Sequence, residues 1–161
     1  MMPDNTACWP SNGELDIMEM FNGDGHIFGT YIWKNAGCNQ PYSAIGQSTS
    51  AGSDWADTFH EYAIEYDGRG YVSFVFDGTV FNHVLNATYY DVSYYAIIDT
   101  SVGSARAGPP NATTVFPTYH HIDYVRVAQP EAEPRGRVAS GSASEHRGAA
   151  VIRTSRARPV E

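Results

Sequence analysis

Apolar and polar residues alternate along this chain with a period near two, in short runs that turn-forming pairs interrupt. The run 15–21 ends at Asn22-Gly23-Asp24-Gly25, and the run 26–33 follows it. The run 59–66 stops at Asp67-Gly68, and 71–76 stops at Asp77-Gly78 before 79–84 continues. Segments 94–98 and 121–127 complete the set. Asp-Gly between alternating runs is a hairpin signal, because both residues accept the positive φ of a tight turn. No stretch carries a helical period. Seven short strands with close turns predict an all-β, antiparallel sandwich, and no internal repeat interrupts it. The pattern fails at the C-terminal end. Residues 129–161 are rich in Arg, Ala, Ser and Gly and contain no aromatic residue. Such a segment cannot bury a sizeable core, so it is predicted to be a disordered tail, either natural or the product of out-of-frame translation. The ordered domain is then 1–128.

One run breaks its own alternation. Gly13-Glu14-Leu15-Asp16-Ile17-Met18-Glu19 carries three acids within six residues, interleaved with apolar side chains. With a period of two, Glu14 and Asp16 share one face while Leu15 and Ile17 share the other. A regular strand would send Glu19 into the apolar layer. Even a neutral polar group costs roughly 2–7 kcal/mol there when it lacks a partner. A one-residue β-bulge near Ile17 or Met18 shifts the parity and returns Glu19 to the side of the other two acids. Carboxyls crowded on one face repel, and three uses account for such crowding: acid–base catalysis, a calcium site, or a merely solvated acidic strand.

Charge and composition narrow the partners. Residues 1–129 hold fourteen acids and four bases, a net of −10, while 130–161 hold four acids and six arginines, a net of +2. The acidic body lacks the basic face that nucleic acid requires, and it does not suit an anionic membrane surface. A neutral polysaccharide remains compatible. Aromatic residues make up 13% of the chain, including eleven tyrosines and three tryptophans. They serve equally as strand formers and as flat platforms for sugar rings. Cys8 and Cys38 are either one disulfide or two thiols. Asn86-Ala87-Thr88 and Asn111-Ala112-Thr113 are glycosylation sequons. No stretch approaches transmembrane length, and the opening Met-Met-Pro-Asp-Asn has no apolar signal-peptide region.

The segment Trp9-Pro10-Ser11-Asn12-Gly13-Glu14-Leu15-Asp16-Ile17-Met18-Glu19 resembles the signature of glycoside hydrolase family 16, in the bulged E-x-D-x-x-E form of its laminarinase-type members. Four further segments resemble the family in order. Gly29-Thr30-Tyr31-Ile32-Trp33 matches the strand after the catalytic one. Phe59-His60-Glu61-Tyr62-Ala63-Ile64-Glu65-Tyr66 matches the F-H-x-Y-x-x-E-W strand. Val75-Phe76-Asp77-Gly78 matches the V-D-G turn, and Ile122-Asp123-Tyr124-Val125-Arg126-Val127 matches the closing strand. The resemblance covers 1–128. It implies a jelly-roll, concanavalin-like β-sandwich with a glucan cleft on its concave face, and endo-acting cleavage of β-1,3-glucan by double displacement. Glu14 would be the nucleophile, Glu19 the acid/base and Asp16 the assisting acid. Trp9 would stack on a sugar ring, with loop packing as the alternative. Trp33 and Trp55 are platforms or packing residues. His60 falls in a matching motif, as a substrate-binding or a structural histidine. Asp123 would belong to a structural calcium site or make a strand-end hydrogen bond, and the chemistry requires no cofactor. The expected setting is extracellular or the cell wall, as a monomer.

Two departures qualify the resemblance. Ile32 stands where many laminarinase-like members have a cleft histidine. The acid strand also begins at residue 13, whereas the family places it near the middle of a domain of well over two hundred residues. The chain is therefore expected to be the C-terminal part of such a domain, an incomplete sandwich lacking N-terminal strands of both sheets. The competing readings are an inactive fragment, a non-catalytic carbohydrate-binding relative, and, within the fold, a transglycosylase or a galactan hydrolase.

Overall fold

Alternation becomes strand pairing over most of the predicted runs. A computed structural model describes residues 1–4, 7–33, 42–53, 55, 57–66, 70–85 and 92–128, and the backbone of 148–156. The elements are β1 (Met2–Pro3), β2 (Glu14–Glu19), β3 (His26–Trp33), β4 (Ser43–Ser50), β5 (His60–Tyr66), β6 (Val72–Phe76), β7 (Thr79–Val84), β8 (Tyr94–Tyr95), β9 (His120–Ala128) and β10 (Gly148–Arg156). There is no helix among the described residues, hence none long and apolar enough to cross a membrane. Three antiparallel sheets result, in the orders β2-β3-β4, β7-β6-β5-β10-β9 and β1-β8. The fold is the all-β, sandwich-like arrangement that the pattern predicts and is consistent with a jelly roll.

The core lies between the two larger sheets. Leu15 and Ile17 of β2 and Ile27 and Tyr31 of β3 point inward from one sheet. Tyr62 and Ile64 of β5, Val72 and Phe74 of β6 and Val84 of β7 meet them from the other. The sheets come closest at Gly29, where an added Cβ would lie 2.8 Å from ring carbons of Phe74 and Phe81. Only glycine leaves those rings in place. The buried Asn82 amide donates to the Gly29 carbonyl at 2.9 Å and ties the layers at the same point.

The Asp77-Gly78 hairpin forms as predicted. Both residues have positive φ, 45° and 77°, which the right-handed twist of β6 and β7 demands of a two-residue turn. The Asn22–Gly25 turn between β2 and β3 likewise holds Asn22 at φ 54° and Gly23 at 66°.

Three elements depart from the pattern. β4 is a strand that alternation does not mark: Ser43–Ser50 is mostly small and polar, yet it pairs with β3 along its whole length. Backbone hydrogen bonds to β3 place this largely exposed edge strand, so it needs little apolar signal. The predicted 94–98 strand shortens to Tyr94–Tyr95, paired with Met2–Pro3. Composition gives no element in 129–161, but Gly148–Arg156 forms β10, antiparallel to β5 on one side and to β9 on the other. Its Val151-Ile152 and Thr154 are β-branched, and strand propensity in so short a window is easily masked by the Arg, Ser and Gly around it. The remainder of 129–161 lies outside the described residues. Cys8 is disulfide-bonded; Cys38, the other cysteine of the expected pairing, lies outside the described residues, as does Asn86.

Candidate active site

The acid face is set by the register between β2 and β3. Glu14 pairs with Ile32, Leu15 with Tyr31 and Asp16 with Thr30, whereas Glu19 pairs with Phe28. Three steps along β2 therefore match two along β3, which places one extra residue between Asp16 and Glu19. This is the bulge that the misplaced parity of Glu19 predicts. Residues opposite one another in an antiparallel pair share a face. Ile32, Thr30 and Phe28 alternate with the inward-facing Tyr31, Gly29 and Ile27, so Glu14, Asp16 and Glu19 all lie on the face turned away from the core.

Close packing gives the three carboxyls different surroundings. Asp16 sits between the other two. Burial, then repulsion from Glu14 and Glu19, and a hydrogen bond with Glu14 push its pKa up to about 8, against a weaker opposing pull from the Met1 ammonium. At neutral pH its carboxyl is the protonated partner, so it donates to Glu14. The indole Nε1–H of Trp9 donates to the same side chain, at Oε2. Glu14 thus has two donors aimed at it. Glu19 is also raised, chiefly by burial and less by Glu14, while Arg106 pulls in the opposite direction. The strand therefore holds one acid that accepts hydrogen bonds, one kept neutral between its neighbours, and one biased towards carrying a proton.

Trp9 is 47% exposed, with its ring edge against Tyr42 at a centroid distance of 5.2 Å. The indole is thus half-exposed and anchored to Glu14 beside the acids. A shallow pocket of about 200 Å3 adjoins it, lined by Trp9, Pro10, Asn12, Gly13 and Tyr95 among others. The loop is fastened by the Tyr94 hydroxyl, which donates to the Asn12 carbonyl at 2.9 Å.

The other predicted residues lie elsewhere. Trp33 belongs to the opposite face of β3, stacked on buried Tyr31 at 5.3 Å and packed against the core. Trp55 also packs against the core. His60 starts β5 in the other large sheet. Its Nδ1 lies 2.7 Å from Asp77 Oδ2 and its Nε2 lies 3.0 Å from Thr58 Oγ1. A carboxylate only accepts, so Nδ1 carries the hydrogen, and Nε2 shares a hydrogen bond with the threonine hydroxyl. Asp77 also takes the Glu61 amide at 2.9 Å, which makes the cluster a brace between β5 and the β6–β7 turn. Asp123 lies on the exposed β9, and among the described residues no three His, Cys, Asp or Glu side chains gather as a metal site.

Arg106 is a site residue that the sequence pattern does not single out. Its guanidinium carbon lies 4.0 Å from the ring centroid of Phe21 and 4.3 Å from that of Phe28. Phe28 is the register partner of Glu19. The one available signal is scarcity, since Arg106 is one of four bases in residues 1–129.

Two curated proteins are similar to the chain over most of its length. A beta-glucanase of Rhodothermus marinus is 32% identical over 148 residues, 79% of this chain and 49% of the glucanase. The clotting factor G alpha subunit of Tachypleus tridentatus is 28% identical over 138 residues, 80% of this chain and 20% of that subunit. The chain thus spans about half the length of the first relative and a fifth of the second. No family model and no solved structure matches it. These distant similarities tie the chain to a glucanase-related group of proteins.

Proposed function

We propose that the chain carries the catalytic strand of a retaining glycoside hydrolase of the family 16 type, acting on β-glucan outside the cell or in the cell wall, with endo-β-1,3-glucan as the first substrate to test. The observation that supports this reading is the bulge that brings Glu19 to the side of Glu14 and Asp16. Three carboxyls gathered on one face, with the Asp16 pKa pushed up to about 8, suit acid–base chemistry better than a merely solvated strand. The beta-glucanase relative supports the substrate class.

Retaining hydrolysis needs a nucleophile and an acid/base about 5–5.5 Å apart. In this reading Glu14 attacks the anomeric carbon while Glu19 gives its proton to the departing glycosidic oxygen. Glu19 then takes a proton from water, the water oxygen attacks the same carbon, and Glu14 is released. Asp16 keeps its proton and donates a hydrogen bond to Glu14 between turnovers, and that hydrogen bond must weaken as Glu14 forms its ester. Trp9 holds Glu14 from the other side and offers its half-exposed indole to a sugar ring. The chemistry requires no cofactor.

The test is reducing-sugar release from laminarin by the full chain, beside Glu14→Gln and Glu19→Gln. Release by the parent that both substitutions abolish supports the reading. A folded parent that releases nothing, or variants as active as the parent, would sink it.

A further inference from the structure

Resting on the reading above, we propose that Arg106 is a positioning residue for Glu19: the loop that carries it docks a fixed cation beside the acid/base.

Three observations carry this. The first is the stiffness of the loop. The Ser104 amide donates to the Gly108 carbonyl at 3.2 Å and the Gly108 amide to the Ser104 carbonyl at 2.8 Å, while the Ala107 amide donates to the Ser104 hydroxyl at 2.8 Å. A closure this tight leaves residue 106 at the tip with little backbone freedom. The second is the docking. The side-chain amide of Asn22, in the β2–β3 turn, donates to the Ala107 carbonyl at 3.0 Å. The tip is therefore fastened to the turn that follows the acid strand. The third is the seat of the guanidinium, which lies over both Phe21 and Phe28 within cation–π range. Two rings fix its position more closely than one, and they hold it over the register partner of Glu19.

The electrostatic consequence agrees with the geometry. The charged groups that act on Glu19 are Glu14 on its own strand, which raises its pKa, and Arg106 from the loop, which lowers it. Asp16 also lies on β2 and is protonated at neutral pH, and the Met1 ammonium acts on Asp16 and Glu14. From β3, the facing residues are Phe28 and Thr30, neither of them charged. Without Arg106, burial and Glu14 would act on Glu19 unopposed.

This placement suits a residue that must be an acid in one half of the reaction and a base in the other. Once Glu19 has given its proton to the leaving oxygen, its carboxylate must persist until a water arrives. A cation docked beside it stabilises that ionised form without transferring a proton itself. Glu14, at the other end, has the Trp9 indole and the Asp16 carboxyl as hydrogen-bond donors and the Met1 ammonium nearby, with no arginine among the described residues docked over its register partner. The two ends thus have different environments, as the two roles require.

The experiment is a carboxyl-carbon NMR titration of Glu19 in the full chain, assigned with Glu19→Gln, for the parent and for Arg106→Met, Arg106→Lys and Asn22→Gly. Methionine keeps an apolar stem over the rings without the charge. Lysine keeps the charge. Asn22→Gly keeps the positive φ and removes the tether to Ala107. The expected result is an upward shift of the Glu19 midpoint by about 0.5–1 pH unit in Arg106→Met. Arg106→Lys should restore most of the parent value, and Asn22→Gly should give a smaller shift in the same direction. The high-pH limb of laminarin hydrolysis, where the acid loses its proton, should move up with the midpoint. An unchanged midpoint in Arg106→Met overturns the proposal. A shifted midpoint in a chain that hydrolyses no laminarin supports the placement of Arg106 and overturns the catalytic reading instead.

Discussion

Two groups of ionisable side chains sit in the two large sheets, and they follow opposite rules. In the brace at the start of β5, every polar group has a complement. His60 gives its hydrogen to Asp77 and shares a hydrogen bond with Thr58, and Asp77 uses its second oxygen on the Glu61 amide. Donors match acceptors across the whole cluster. On β2, three acceptors share one face, and the conflict is resolved by holding Asp16 protonated up to about pH 8. A matched set fastens two segments together and does nothing else. A set with surplus like charge stores a readiness to exchange protons, and burial makes that readiness more marked.

The comparison can be broken most sharply through activity. Glu14→Gln should lower laminarin hydrolysis by roughly a thousandfold or more, since a neutral amide cannot form the ester intermediate. Asp77→Ala should leave the rate per folded molecule unchanged. Measuring both beside the parent, with the folded fraction fixed by near-UV circular dichroism, checks the pair. An Asp77→Ala loss as large as that of Glu14→Gln would erase the distinction between the sheets.

Stability should rank the same residues in reverse. Asp77→Ala removes two hydrogen bonds and leaves the His60 nitrogen without its acceptor, a loss of about 1–3 kcal/mol in urea unfolding. Glu14→Gln relieves repulsion on the acid face and should leave stability unchanged or slightly higher.

A pH series sharpens the point further. The Asp16 pKa is raised in the folded chain from 3.8 to about 8, so the folded state holds a proton that the unfolded state releases. The stabilisation from that proton is complete below about pH 4 and is lost as pH climbs through about 8. Unfolding free energy should therefore fall across this window in the parent. Asp16→Asn carries no titrating proton and should flatten that part of the profile. An equal fall in the variant would assign the slope to other groups.

The smallest expected effect concerns the indole. Trp9→Phe keeps an aromatic face but deletes the donor to Glu14, so activity should drop about threefold to tenfold. Trp9→Ala removes the face as well and should cost more, mainly in KM for the polymer.

The acid strand was the most legible part of the sequence because its pattern was inconsistent with itself. An acid at the wrong parity next to buried Leu15 and Ile17 left the bulge as the simple physical solution. The Asp77-Gly78 turn was legible for a similar reason, since few residue pairs accept two positive φ values. β4 and β10 were not legible, because their places rest on backbone pairing and on neighbours distant in sequence. The faces occupied by Trp33 and Trp55 could not be fixed from residue type, since an indole serves a core and a cleft equally well. Arg106 was hidden most completely. Its value comes from two phenylalanines and an asparagine some eighty residues earlier, and nothing in its own neighbourhood announces it.

The extra residue between Asp16 and Glu19 also determines how the gene can change length without losing the site. Loss of one codon, for Ile17 or Met18, would leave a regular strand whose three acids are spaced by two and still line one face. Gain of one codon would put four steps between Asp16 and the glutamate, so it too would keep the face once the bulge straightened, but it would carry that acid one residue pair further from the other two. The strand therefore keeps its acid face through a change of one residue in either direction, and only shortening also keeps the three carboxyls close together.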